Sequence, residues 1–132
     1  MDKKEKKYLG IDWGEKRIGL ALGDSLTRTA TPFKIVENIQ DVVKVVKEEE
    51  IDVVVIGEPL KMSDIKYPLS EDFLNFFQVL KKELKIPIEK VDERLSSLGA
   101  DALSGSKKTK APRDTVAAML ILQNYLDKHN SN

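Results

Sequence analysis

Apolar residues fall in short blocks divided by charged or glycine-containing stretches, and the period within each block predicts its geometry. Leu9-Gly10-Ile11-Asp12 is a short apolar strand running into an acid, with Gly14 just beyond. Arg17-Ile18-Gly19-Leu20-Ala21-Leu22-Gly23 reads as a second strand, so the two form a hairpin with Trp13-Gly14-Glu15-Lys16 at its tip. Ala30 to Val36 is a third strand, set off by the turn-rich Gly23-Asp24-Ser25. Gln40 to Glu50 carries Val42, Val43, Val45 and Val46 at mostly helical spacing. Valines taken alone favour a strand, but the flanking charges favour a helix with one exposed face. Asp52-Val53-Val54-Val55-Ile56-Gly57 is a continuous apolar run, the mark of a strand buried on both sides. Over Ser70 to Leu84, Phe73, Phe76, Phe77, Leu80 and Leu84 recur at three- and four-residue steps, which predicts a helix. Ser70 is placed to cap it, with Glu71 and Asp72 favourable in its first turn. Ile86-Pro87 breaks that helix, and Ile88 to Val91 is a fifth strand. Ser96 or Ser97 is placed to cap a short helix over Leu98 to Leu103. Pro112 opens a last helix through Lys128, with Ala117, Ala118, Ile121, Leu122 and Tyr125 facing inward.

Three strands able to pair antiparallel, then strands alternating with helices, predict an α/β fold: a five-stranded mixed β-sheet flanked by helices. At 132 residues the chain is expected to be one domain with a sizeable core. Residues 1–7 are expected to be a flexible basic N-terminus and 128–132 a flexible tail. The absence of cysteine removes disulfide, zinc-thiolate and thiol chemistry. The charged start lacks an apolar signal region, and no stretch approaches the roughly 20 apolar residues of a membrane span, so a cytoplasmic protein with no membrane partner is expected. The 22 Lys and Arg balance the 22 Asp and Glu, so no global field attracts nucleic acid. Contact with a polyanion would rest on the Lys-rich N-terminus or on Lys107, Lys108 and Lys110 with Arg113; a solvated loop is the plainer reading of either patch taken alone.

Chemistry enters through acids in three separate segments. Asp12 lies between two glycines at the end of the first strand, where it is either a turn-former or a functional acid; buried, it needs a metal, a cation or hydrogen-bond donors. Asp92 and Glu93 end the fifth strand, where ligands of open α/β sheets gather, and Arg94 beside them is able to neutralise either. Asp114 is in the first turn of the last helix, where the macrodipole alone contributes about 0.3–1 kcal/mol. It also shares the face of Ala117, Ala118, Ile121 and Leu122, and those alanines let the helix sit close to the sheet. Acids converging on one edge repel unless cations are present. Hard divalent ions with oxygen ligands, such as Mg²⁺, resolve that repulsion, and a pair of them supports phosphodiester hydrolysis.

Gly10-Ile11-Asp12-Trp13-Gly14 with Arg17-Ile18-Gly19, then Asp92-Glu93-Arg94-Leu95-Ser96, then Asp114-Thr115-Val116-Ala117-Ala118 with Ile121-Leu122-Gln123 resemble the YqgF/RuvX family from Tyr8 to Asp127. These are Holliday-junction-resolvase-like nucleases of the RNase H-like superfamily, also described as pre-16S rRNA nucleases. The resemblance implies an RNase H-like fold and hydrolysis of structured nucleic acid with Mg²⁺ or Mn²⁺. It makes Asp12, Glu93 and Asp114 the catalytic, metal-holding acids. Asp92 and Arg94 would support the site, with Glu58 a fourth acid at the end of the buried strand. Lys107, Lys108, Lys110 and Arg113 would hold the backbone of the nucleic acid. The substrate would be precursor rRNA, with the ribosome as a partner, or branched DNA, and the chain a monomer or a homodimer. The family shows Gly-x-Pro, then Asn and a glycine-containing turn. Here Gly57-Glu58-Pro59 keeps the first part, but Asp64 is not followed by glycine.

Two other classes share these signals. Sugar kinases and related ATPases have a similar strand–acid–glycine hairpin but close two such lobes around a nucleotide. An RNA-binding assembly factor would use the acids only for a structural ion. His129, in the polar tail, carries no metal site by itself, and Trp13 is able to stack on a base or pack over the hairpin tip.

Overall fold

The computed structural model describes residues 5–14, 16–58, 71–92 and 113–128. Among these residues five strands and three helices follow in the order β1 (Lys7–Asp12), β2 (Ile18–Asp24), β3 (Thr31–Val36), α1 (Ile39–Glu48), β4 (Val53–Glu58), α2 (Glu71–Glu83), β5 (Ile88–Asp92) and α3 (Arg113–Lys128). The sheet runs β3-β2-β1-β4-β5. The first three strands pair antiparallel, and β1, β4 and β5 are parallel, as expected for a mixed sheet. β1 takes in Lys7, the last residue of the expected basic tail, because its N–H donates to Asp52 Oδ2 at 2.8 Å and Asp24 pairs with it across the ladder. The expected cap at Ser70 and the short helix over Leu98 to Leu103 lie outside the described residues.

The two-residue period of the strands divides the core into two layers. Leu9, Ile11, Leu20, Val54 and Ile56 pack with Val42 and Val45 of α1 and Phe73, Phe76 and Leu80 of α2. Val53 and Val55 pack on the opposite face with Ile121, Leu122 and Leu126 of α3. The valines of α1 are thus the buried stripe of a helix. Asn38 caps it, its side chain accepting the Asp41 N–H at 2.9 Å. Trp13 belongs to the first layer, edge-on to Phe73 with ring centroids 5.6 Å apart.

The β2–β3 turn is held from two sides. Asp24 accepts hydrogen bonds from the N–H groups of Leu26 and Thr27 and from the Thr27 hydroxyl, and the Thr27 backbone bond holds its carboxyl below the usual carboxylate range. From α3, Gln123 accepts the Ala30 N–H at 2.9 Å and donates to the Arg28 carbonyl at 3.0 Å. A glutamine on the last helix therefore closes a turn near the start of the chain.

α1 ends in a Schellman arrangement without its usual glycine. The Ile51 N–H donates to Val46 O and the Glu50 N–H to Lys47 O, while Glu50 takes the left-handed conformation at φ 55°. An L side chain there carries a steric cost that glycine lacks. Glu50→Gly is expected to raise stability by about 0.5–1 kcal/mol, read as a higher urea midpoint with an unchanged m-value.

Candidate active site

Because β1, β4 and β5 are parallel, their carboxyl ends share one edge of the sheet, and each strand ends in an acid: Asp12, Glu58 and Asp92. Glu58 and Asp92 are ladder partners at that edge. The sequence places Glu93 immediately after β5.

A further acid reaches the same edge from α3. Antiparallel pairing sets Asp12 opposite Gly19, at a Cα separation of about 4.5–5.5 Å for such pairs. The space a side chain on Gly19 would fill is taken by Asp114: an added Cβ would overlap its carbonyl group and lie 3.0 Å from its Cβ. One turn further along the helix, a Cβ on Gly10 would lie 2.8 Å from Ala118 O and 2.8 Å from Leu122 Cβ. Gly10 and Asp12 on β1 alternate with the buried Leu9 and Ile11 and therefore share the face under α3. The helix thus lies against bare strand backbone at two points, and its first turn stops beside the ladder partner of Asp12. Asp12 and Asp114, from opposite ends of the chain, are thus linked through Gly19, the ladder partner of one and the seat of the other.

The hairpin tip adds a cation. Arg17 Nε lies 3.4 Å from Asp114 Oδ2, with the arginine side chain 68% exposed and the aspartate 32%. Gly14 makes the tip tight: a Cβ on it would lie 2.8 Å from Arg17 O.

Of the residues singled out from sequence, Asp114 seats its main chain on Gly19, the ladder partner of Asp12, and Glu58 and Asp92 are placed by strand register on the same edge. Arg113 is the first residue of α3, directly before Asp114. Glu93, Arg94, Lys107, Lys108 and Lys110 lie outside the described residues. Among the described residues no three Asp, Glu, His or Cys side chains form a metal-holding group. Sequence reasoning credited the close approach of the last helix to its alanines. Ala117 and Ala118 are indeed buried, but the space comes equally from Gly10 and Gly19 on the strands. The readable signal was small residues at Gly19, Ala21 and Gly23, two apart on one face of β2. The sequence puts Arg17 in the second strand and in the motif that carries the family resemblance, with no role of its own; in the fold it lies just before β2.

The family model described as "RuvX: Holliday junction resolvase" matches residues 6–128. The chain belongs to the RuvX family. Its enzyme class is accordingly that of a hydrolase, a nuclease. Curated relatives named "Putative pre-16S rRNA nuclease" include one from Chloroflexus aurantiacus, 38% identical over 94% of this chain and 88% of that protein. Another, from Endomicrobium trichonymphae, is 34% identical over 92% of this chain and 95% of that protein. Among solved structures, Thermus thermophilus RuvC in complex with a Holliday junction substrate superposes with a TM-score of 0.65. It is 15% identical, with 96% of each chain covered, and this likeness shows the RNase H-like fold. Among the described residues no helix is long and apolar enough to cross a membrane.

Gly19→Ala forces the Asp114 main chain away from the sheet. It is expected to lower unfolding free energy by about 1–3 kcal/mol, the range for overpacking a filled site, in urea titration. Gly23→Ala meets the side-chain ends of Leu122 and Leu126 at 3.1 and 3.2 Å, with Thr29 O also at 3.2 Å, and is expected to lose less.

Proposed function

We propose that this chain hydrolyses phosphodiester bonds of structured RNA in a reaction that needs a divalent cation, with the precursor of 16S rRNA as substrate. The observation that carries the reading is the seating of Asp114 against Gly19, the ladder partner of Asp12. Two carboxylates at one strand edge repel, and a hard cation relieves that repulsion. The donor set fits Mg²⁺ or Mn²⁺: the chain has no cysteine and one histidine, so the candidate ligands are carboxylate oxygens. The names carried by the curated relatives favour the rRNA substrate.

In this reading Asp12, Glu93 and Asp114 hold the cation, which when bound supplies Lewis-acid stabilisation of charge on the phosphate oxygens. Glu93 follows Asp92 at the end of β5 and so completes a set drawn from β1, β5 and α3. Asp92 and Arg94 support that set, and Glu58 adds negative charge from β4. Lys107, Lys108, Lys110 and Arg113 precede Asp114 in sequence and hold the RNA backbone near the reacting phosphate. With no net charge on the chain, affinity rests on those few cations and falls steeply with salt. A precursor carried on a ribosomal particle would offset that weak attraction.

A second reading, cleavage of a four-way DNA junction by a two-fold dimer, is favoured by the description of the matching family model. The two are separated by incubating labelled precursor rRNA, four-way junction and linear duplex with Mg²⁺, Mn²⁺ or EDTA. Cutting of the rRNA that EDTA stops, and that Asp12→Asn or Asp114→Asn lowers at least 100-fold, is the expected result. Preferred cutting of the junction selects the resolvase. RNA binding without cutting of any substrate overturns the catalytic reading in favour of an assembly factor.

A further inference from the structure

The Arg17–Asp114 ion pair is a contact at this edge that the metal reading leaves without a task. Three features mark it. It joins the hairpin tip to the first turn of α3, the two segments that carry Asp12 and Asp114. It is made through Nε at 3.4 Å, longer than the roughly 2.7–2.9 Å of a strong charge-assisted bond. Its arginine is 68% exposed, so solvent screens the pair and it adds little to folding. A pair that weak is poor fold cement. It does hold a guanidinium beside the acids at which a substrate phosphate would arrive.

Position also favours substrate over structure. Gly14 packs against the Arg17 carbonyl, which fixes the backbone from which the side chain springs, while most of that side chain stands in solvent. A guanidinium takes a phosphate through two parallel N–H donors, whereas the contact with Asp114 runs through Nε. A divalent cation at Asp114 and the guanidinium draw on the negative charge of the same carboxylate, so loading the site weakens its hold on the arginine.

Building on the nuclease reading above, we infer that Arg17 is a substrate-binding residue. Its guanidinium neutralises Asp114 in the metal-free protein and passes to a phosphate of the nucleic acid when a divalent cation takes the carboxylate. Two consequences follow that a structural ion pair would not produce. Removing the guanidinium removes a competitor and tightens cation binding. It also removes one phosphate contact, which reduces the salt dependence of nucleic-acid binding by about one unit of slope.

The experiment compares full-length wild type, Arg17→Gln and Arg17→Lys. Mn²⁺ affinity is read by electron paramagnetic resonance without nucleic acid. Affinity for a fluorescent precursor-rRNA fragment and for a labelled four-way junction is then read in Ca²⁺ across a salt series. The expected result for Arg17→Gln is Mn²⁺ affinity raised several-fold, nucleic-acid affinity lowered about tenfold and a shallower salt slope, with unchanged thermal stability. Arg17→Lys retains the slope but loses part of the affinity, because an ammonium makes a point contact rather than a fork. Wild-type binding with unaltered affinity and slope in Arg17→Gln overturns the inference alone. Wild type that binds neither nucleic acid overturns the nuclease reading and the inference together.

Discussion

The contact between the first turn of α3 and the bare backbone of β2 at Gly19 governs what this edge of the sheet can do. A helix normally stands off a sheet by the thickness of two side-chain layers; here the Asp114 main chain occupies the volume of a missing side chain. Gly10 repeats the arrangement one turn along, under Ala118 and Leu122. The helix is seated at two points along its length, so its first turn has little freedom to rise or slide. Since Gly19 is the ladder partner of Asp12, fixing α3 against β2 also fixes the acid of α3 beside the acid of β1.

The rest of the fold supports that seat. The apolar α1–α2 layer buries Leu9, Ile11, Leu20, Val54 and Ile56 and holds the central strands from behind. Ile121, Leu122 and Leu126 anchor the far end of α3 on Val53 and Val55, while Gln123 ties its middle to the β2–β3 turn. The position of the Asp114 main chain is thus set by packing forces unrelated to its charge. An edge that concentrates negative charge by construction is suited to cations. The Arg17 guanidinium supplies one, and the divalent ion proposed for catalysis is another.

Most of the architecture was legible because the chain keeps its periods clean. The strand–strand–strand start, the valine stripe of α1, the phenylalanine stripe of α2 and the parallel β4 and β5 appear where the apolar spacing put them, within one or two residues at their ends. The difference at α1 is physical. Its helix closes at Glu48 because Glu50 turns left-handed, a conformation that its side chain does not announce. Asp12 and Asp114 were legible as acids at element ends. Their approach was credited to helix alanines, since glycine in a strand signals close contact without naming the partner. Arg17 stood in the motif that carries the family resemblance but showed no role of its own, because an exposed arginine beside a hairpin tip resembles any solvated charge. Its link to Asp114 is tertiary, set by where α3 lands.

That landing is tested most directly by anomalous scattering from crystals of the wild-type chain grown with Mn²⁺. The account predicts a peak at the carboxyl edge of β1, within coordination distance of carboxylate oxygens from both Asp12 and Asp114, with the α3 backbone still resting on Gly19. A peak bound by only one of these two aspartates, or Mn²⁺ held elsewhere while the two carboxylates remain apart, would contradict it.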